Sequence, residues 1–441
     1  MKLRKIFSRI LLYSLAVLMI GLMVRAYFNF RMGNRLEAYI GDRQADGVPL
    51  SRKALMPDCS EAENGANLWR AAEALFPREG VNVALLRDTM EAIFNRKPLE
   101  PDIREELKKT ITDHPRVFQF MEESSEKPCF RYGDWKKDMH DIRIPDSVKM
   151  INAIRLLGID AIFKAEEGNI REAIDQIRWA MRFIHRVMDE PLLITTLVAV
   201  ANMKYLLVCL NQITDGRDID SEVLNTIIQE LDPELWRNRF VRGLQGERIF
   251  FLEAALRVLE GDRTVFNSSL AESVFFWLIR PVTKAEILWA LKRSEEAESA
   301  FALPFYQTEE FRTRHSQDLD SVPWYYPLVK NLSPSLSATF LKEAILEALM
   351  ETGQIGMACK IYKNLGGRFP DEISELVPDI LAKEPVDPFT GKPFIYRLQE
   401  DGFVVYSVGS NEKDDDGRGT FQVDRMVMEK DDDWPWREKT K

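Results

Sequence analysis

Two patterns of apolar and polar residues divide the chain. Between Ile10 and Val24 the residues are almost all apolar, with Lys2, Arg4, Lys5 and Arg9 ahead of them and Arg25 behind. Nearly everywhere else apolar residues recur every three or four positions, the spacing of one face of an amphipathic helix. The first run is short against the roughly 20 residues that cross a bilayer. Tyr27, Phe28 and Phe30 extend it, and Arg25 can snorkel to the lipid headgroups. A cleaved signal peptide is the rival reading, but MVRAYF is a poor small-residue cleavage site. Residues 1–31 are therefore expected to be a cytoplasmic stub and a single transmembrane anchor. The basic residues ahead of the run keep the N-terminus inside. The body then lies on the outer side of the inner (cytoplasmic) membrane, in a periplasm or otherwise extracytoplasmic.

The second pattern predicts a mainly α protein with a small α+β ending. Residues 32–62, broken by Gly41, Gly47, Pro49 and Pro57, read as a tether. An α-helical domain is expected over 63–302, with helices near 67–75, 83–96, 102–111 and 115–124. The clearest pair fills 147–187, where Ile170, Ala173, Ile174, Ile177, Ala180, Met181 and Ile184 mark one face and Gly168-Asn169 the turn. Ala161, Gly168, Ala173 and Ala180 give this pair a resemblance to one tetratricopeptide unit. Leu192 to Leu210 is long enough to span a membrane. Its Thr195, Thr196, Asn202 and Lys204 point instead to a buried central helix. Asp232-Pro233-Glu234 starts a helix that Gly261-Asp262 stops. Two more are expected at 268–279 and 281–300, on either side of Pro281. Residues 303–334 read as a linker, and 335–441 as the last domain. There a helix over 339–365 precedes two strands, Phe394 to Leu398 and Phe403 to Val408, joined in a tight hairpin. Phe394, Tyr396 and Leu398 are expected to share the face packed on that helix.

Charge and cysteine content narrow the function. The net charge is −10. Residues 1–35 hold seven Lys or Arg and no acid, so the rest of the chain is more acidic still. An acidic body argues against a nucleic-acid partner, which needs a basic face. The four cysteines form no CxxC pair. Cys59 and Cys129 fall in loops and can pair in an oxidising compartment. Cys209 and Cys359 fall in helical patterns, as small core residues.

The most specific stretch is Asp387 to Gly417. A helix, then YKNLGGRFPDEISELVP, EPVDPFTGKPFIY and YSVGSNEKDDDG, resembles the globular domain of the major pseudopilin of type II secretion. The resemblance covers about 339–436. It implies a pseudopilin-like α+β domain and a calcium loop closed by a late acidic pair. The metal candidates are Asn411, Asp414, Asp415, Asp416 and Asp432, with Asp431 to Asp433 standing where the closing pair would be. Chemistry agrees in kind: calcium takes six to eight oxygen ligands on a chain that can bend round it. Residues 339–365 lie some 300 residues into the chain, and the N-terminal run lacks the pilin glutamate. The resemblance therefore implies a fold and not a filament. The layout of the whole chain resembles membrane-anchored helical proteins of planctomycete-like bacteria.

Catalytic motifs are scarce. No G-x-S-x-G, H-E-x-x-H, P-loop or dinucleotide motif occurs, and the four histidines are not at metal spacing. Ser124-Ser125-Glu126-Lys127 fits S-x-x-K without its partner motifs. Tyr132 and Trp135 are candidate ligand-stacking residues. The leading expectation is a membrane-anchored structural or interaction protein of the bacterial cell envelope, partnered by envelope or secretion-system proteins. A hydrolase of peptidoglycan or glycans and a ligand- or peptide-binding module are the alternatives.

Overall fold

The computed structural model describes residues 2–76, 82–137, 142–262, 270–332, 336–419, 421–422, 427–428 and 433–439. The protein is mainly α. Its helices are α1 (Lys2–Ala45), α2 (Arg52–Leu55), α3 (Gly65–Leu75), α4 (Val83–Phe94), α5 (Pro101–Thr112), α6 (Pro115–Ser125), α7 (Ser147–Glu166) and α8 (Ile170–Val187). They continue with α9 (Leu193–Thr214), α10 (Ser221–Glu230), α11 (Pro233–Glu260), α12 (Leu270–Phe301), α13 (Glu309–Asp320), α14 (Pro327–Leu332) and α15 (Ser337–Gly366). A small sheet of β1 (Ile395–Gln399), β2 (Gly402–Ser407) and β5 (Trp434–Lys439) closes the chain. A separate two-strand ladder joins β3 (Phe421–Gln422) to β4 (Val427–Met428).

Two compact units are built from interleaved segments. One gathers 1–56, 245–299 and 313–335, and the other 57–244, 300–312 and 336–441.

In the first unit α1 is a single helix that runs past Arg31 and through Gly41 to Ala45, where a tether was expected. Leu36, Tyr39 and Ile40 recur at helical spacing and pack on Phe251, Leu252 and Leu291, so the polar stretch has an apolar side of its own. Arg248, its side chain fully buried, pairs with Glu298 at 2.5 Å and donates to the Pro49 carbonyl at 3.0 Å. Burial pushes the Glu298 carboxyl up to about 7 despite that guanidinium. The second difference lies at Pro281. One helix, α12, runs through it where two were expected. Proline removes the hydrogen bond to the carbonyl four residues back, here Trp277. Arg25 donates to that carbonyl and, through Nε at 3.3 Å, to Leu278 O. A side chain of α1 thus supplies what proline takes away.

The second unit holds the α7–α8 hairpin, turned at Gly168 with φ +90°. Packed on it is α9, which also touches α15 and β5. The expectation that Leu192 to Leu210 is a core helix describes α9 well. Close approach is allowed by Gly158 of α7, where a Cβ would lie 2.6 Å from the Tyr205 ring and 2.9 Å from Cys209 Sγ. Cys59 and Cys129 form a disulfide, and Cys209 and Cys359 are buried and free. The helix α15 ends at Gly367, left-handed at φ +76°.

The hairpin of β1 and β2 is antiparallel, with Gln399 opposite Gly402 and Ile395 opposite Tyr406. Gly402 is required there, since a Cβ would lie 1.9 Å from Glu438 O. The shared face expected of β1 is only partly realised. Phe394 is buried, but Leu398 at the hairpin tip is 48% exposed. The reason is the third strand, β5, which pairs with β2 and leaves β1 at one edge. The broad contact with α15 is made by β2 and β5, and β1 reaches it through Tyr396, which interacts with the Cys359 side chain. Trp436 lies over Gly353 and Gly356, which have no Cβ to obstruct its ring. Pro435 concealed β5 in the sequence, and it is tolerated because β5 is the other edge.

Candidate functional site

The acidic loop between β2 and β5 is built on two anchors. Asp387 is the first. It is 2% exposed and accepts from Phe389 N at 2.9 Å and Val408 N at 3.1 Å, so the DPFTG turn is tied to the end of β2. Burial raises its pKa against those donors. Asp433 is the second and is fully buried. Its Oδ2 accepts from Asp415 N at 3.0 Å and Gly417 N at 2.7 Å, while its Oδ1 has no hydrogen-bond partner among the described residues. Burial pushes it up to about 6, with Asp415 and Asp414 adding to the rise. The loop bends sharply between the anchors, with Glu412, Asp416 and Gly417 all at positive φ.

The predicted metal residues fall into pairs. Asn411 Nδ2 donates to Asp415 Oδ2 at 3.0 Å, and Asn411 Oδ1 accepts from Lys413 N at 2.8 Å. Asp414 and Asp416 share Arg397, at 2.6 and 2.8 Å, and Asp414 also accepts from Tyr406 OH at 2.7 Å. That hydroxyl and the guanidinium hold Asp414 below the usual carboxylate range. Asp432 and Asp431 lie outside the described residues. Among the described residues no three His, Cys, Asp or Glu side chains are placed to hold a metal. What the site leaves over is Asp433 Oδ1, a buried carboxylate oxygen without a hydrogen-bond partner among the described residues.

Two residues of this site, Arg397 and Tyr406, were not singled out by sequence, and Asp433 was named only as one of the run Asp431 to Asp433. Arg397 was legible in principle. On the predicted hairpin it lies between the apolar Tyr396 and Leu398, so it faces opposite to them.

Other candidates resolve into structural roles. Ser124 Oγ donates to Gly65 O at 2.8 Å and Lys127 Nζ to Ala62 O at 3.1 Å, so the S-x-x-K residues fasten two segments. Tyr132 and Trp135 belong to a loop wrapped on Glu190, which is fully buried. Tyr132 N, Gly133 N and Trp135 Nε1 all donate to that carboxylate, at 3.1, 2.9 and 2.6 Å. Gly133 permits the approach, as its Cβ would lie 2.8 Å from Glu190 Oε1. On α15, Glu343, Glu347 and Glu351 form a stripe facing Arg237, which pairs with Glu347 and lies 3.6 Å from Glu343. Burial raises Glu343 and pushes Glu351 up to about 9. A cavity of about 200 Å³ is lined by Arg96, Asn211, Gln212 and Arg437, among others. It is smaller than the roughly 300–1,000 Å³ of sites for drug-sized ligands.

Comparison with family models, with curated proteins and with solved structures finds no match for the chain.

Proposed function

We propose that the chain is a membrane-anchored structural or interaction protein of the bacterial cell envelope, its body on the extracytoplasmic side. The observation that carries this reading is α1. None of the residues in its most apolar 18-residue window is buried by the protein. Water is a poor solvent for such a helix, and about 0.8 kcal/mol per CH₂ favours its transfer to lipid. The Cys59–Cys129 disulfide supports the placement of the body, because such bonds persist in oxidising compartments. The test is alkaline extraction of membranes containing the full chain, combined with labelling of Glu222→Cys by a membrane-impermeant maleimide in intact cells. Retention in the membrane and labelling without lysis are expected. Release by alkali, or labelling only after lysis, would sink the proposal.

The pseudopilin-like ending supports a place beside secretion machinery, and the tetratricopeptide-like α7–α8 pair supports protein contact as the mode of action. Purification of the full chain from solubilised membranes should yield a defined complex with envelope proteins. A solitary monomer that cleaves cell wall would favour the hydrolase instead.

The free oxygen of Asp433 favours one further part of the reading, a calcium ion in the acidic loop. The residues that would hold it are Asp433 with Asp414, Asp415, Asp416 and Asn411. The ion would supply the positive charge that Asp433 lacks. Thermal unfolding of the full chain should shift upward in calcium relative to chelator, by mass action on the folded state. The shift should vanish in Asp433→Asn. Equal midpoints in wild type would refute the ion.

A further inference from the structure

We infer that the start of α12 is a second membrane-contacting element, seated in the interfacial zone of the bilayer beside α1. The inference rests on the anchoring of α1 proposed above.

Phe275, Trp277 and Leu278 project three large apolar side chains that are 41, 49 and 51% exposed. An exposed apolar group of this kind marks a contact surface, and its position identifies the occupant. Arg25 lies over the Trp277 ring, its guanidinium carbon 3.8 Å from the centroid, and donates to the Trp277 and Leu278 carbonyls. Further along, Lys284 donates to Asn29 O at 3.1 Å, and its Nζ fills the space beside Gly33. Trp277 thus pairs with residue 25, and Lys284 with residues 29 to 33. The two helices ascend in the same direction along this stretch. Residues of α12 before Trp277 therefore run beside α1 residues before Arg25, which belong to the apolar run. Leu270, where α12 begins, lies roughly 10 Å further toward that run than Trp277 does.

The chemistry at this level is that of a membrane interface. Arg25 ends the apolar run, and Tyr27, Phe28 and Phe30 follow it as exposed aromatic side chains. Trp and Tyr concentrate where hydrocarbon meets headgroups, and an arginine there snorkels toward phosphate. The exposed surface of α12 is continuous with the lipid-facing surface of α1 through the Arg25–Trp277 contact. A bilayer covering the last turns of the apolar run must also reach Phe275 and Leu278. Arg25 has a double role in this arrangement. It marks the interfacial level and satisfies the carbonyl left open by Pro281, which in lipid would have no water to turn to.

The test uses the full chain in phosphatidylcholine–phosphatidylglycerol vesicles, with single nitroxide labels at Leu18→Cys, Leu278→Cys and Glu222→Cys. The native cysteines are buried or disulfide-bonded and do not compete. The expected result is a higher ratio of oxygen to water-soluble nickel collisions at 18 and 278 than at 222. The value at 278 should fall between the other two, as an interfacial depth requires. Phe275→Cys repeats the measurement should the first label perturb the Arg25 contact. A lipid-like value at 18 with a water-like value at 278 and 275 overturns the inference and leaves the anchor standing. Water-like values at all sites overturn both. A label at 278 shielded from both reagents reveals a protein partner in place of lipid and also overturns it.

Discussion

Two helices of this chain, α1 and α9, have 18-residue windows of nearly equal mean hydropathy, 2.0 and 1.9, yet they meet opposite surroundings. None of the apolar window of α1 is buried by protein, while 67% of that of α9 is. The difference resides in the polar and small residues, not in the apolar ones. In α9 several polar side chains are returned to nearby backbone of the same stretch. Thr196 donates to Leu192 O at 3.1 Å, Asn202 to Val198 O at 3.0 Å, and Thr195 to Glu190 O at 2.9 Å. These bonds let polar groups enter a core at little cost. Glycines on neighbouring helices, Gly158 and Gly243, make room for Tyr205, Cys209 and Thr196. In α1 Gly21 has nothing within 4 Å of where its Cβ would lie. Apolar content says that a helix must leave water, and the rest of its sequence says whether protein or lipid receives it.

The largest test of this contrast removes the same side chain from each helix. Leu206, in α9, is fully buried. Leu206→Ala should destabilise the body by about 2–5 kcal/mol, the cost of lost burial plus a cavity. Leu15→Ala, on the exposed surface of α1, should leave the unfolding of the body unchanged. Chemical denaturation of both full-length variants in detergent decides the matter. Equal losses would mean that α1 is part of the same packed core.

Adding an atom gives the next contrast. Gly158→Ala drives a methyl group into Tyr205 and Cys209, and overpacking of this kind costs about 1–3 kcal/mol. Tyr205 has little freedom to retreat, since its hydroxyl donates to Arg155 O at 2.9 Å. Gly21→Ala meets open space and should be neutral or slightly favourable to the helix. A thermal midpoint lowered by Gly21→Ala would show a protein neighbour at that position.

How much of this was legible follows the same logic. The 3.6-residue period marked α7 and α8 to their ends, and Asp232-Pro233 marked the start of α11, because those signals are local. The continuation of α1 beyond Arg31 was hidden by Gly41 and by charge, since Leu36, Tyr39 and Ile40 declare their purpose only against Phe251 and Leu291. The passage of α12 through Pro281 depends on Arg25, more than 250 residues away in sequence, and β5 depends on pairing with β2. The acidic loop was legible as an oxygen-rich turn. Its electrostatics were not, because Arg397 reaches it from β1 and Asp433 from just ahead of β5. Non-local partners were what the sequence concealed.

The smallest effect concerns charge, and it sharpens the contrast between the helices. Arg25 stands at the end of an exposed apolar run, whereas Lys204 lies within the packed body. Burial pushes the Lys204 ammonium down to about 8, and Lys342 of α15 adds to the shift. Between about pH 8 and the ordinary lysine value the folded protein binds fewer protons at this site than the unfolded chain does. Stability from Lys204 therefore rises with pH across that window. Glu351, pushed up to about 9, opposes it, because a carboxyl held protonated in the fold loses stability as pH rises. The net slope of the wild type mixes the two, and a difference between variants separates them. Lys204→Met retains the stem and removes the charge. Denaturant midpoints measured from pH 7.5 to 10 should give a variant more stable than wild type at the low end. The gap should narrow by less than about 1 kcal/mol per pH unit, below the limit of about 1.4 for one full proton. A constant gap across the range would mean that Lys204 titrates as it does in water, and that α9 admits solvent where α15 faces it.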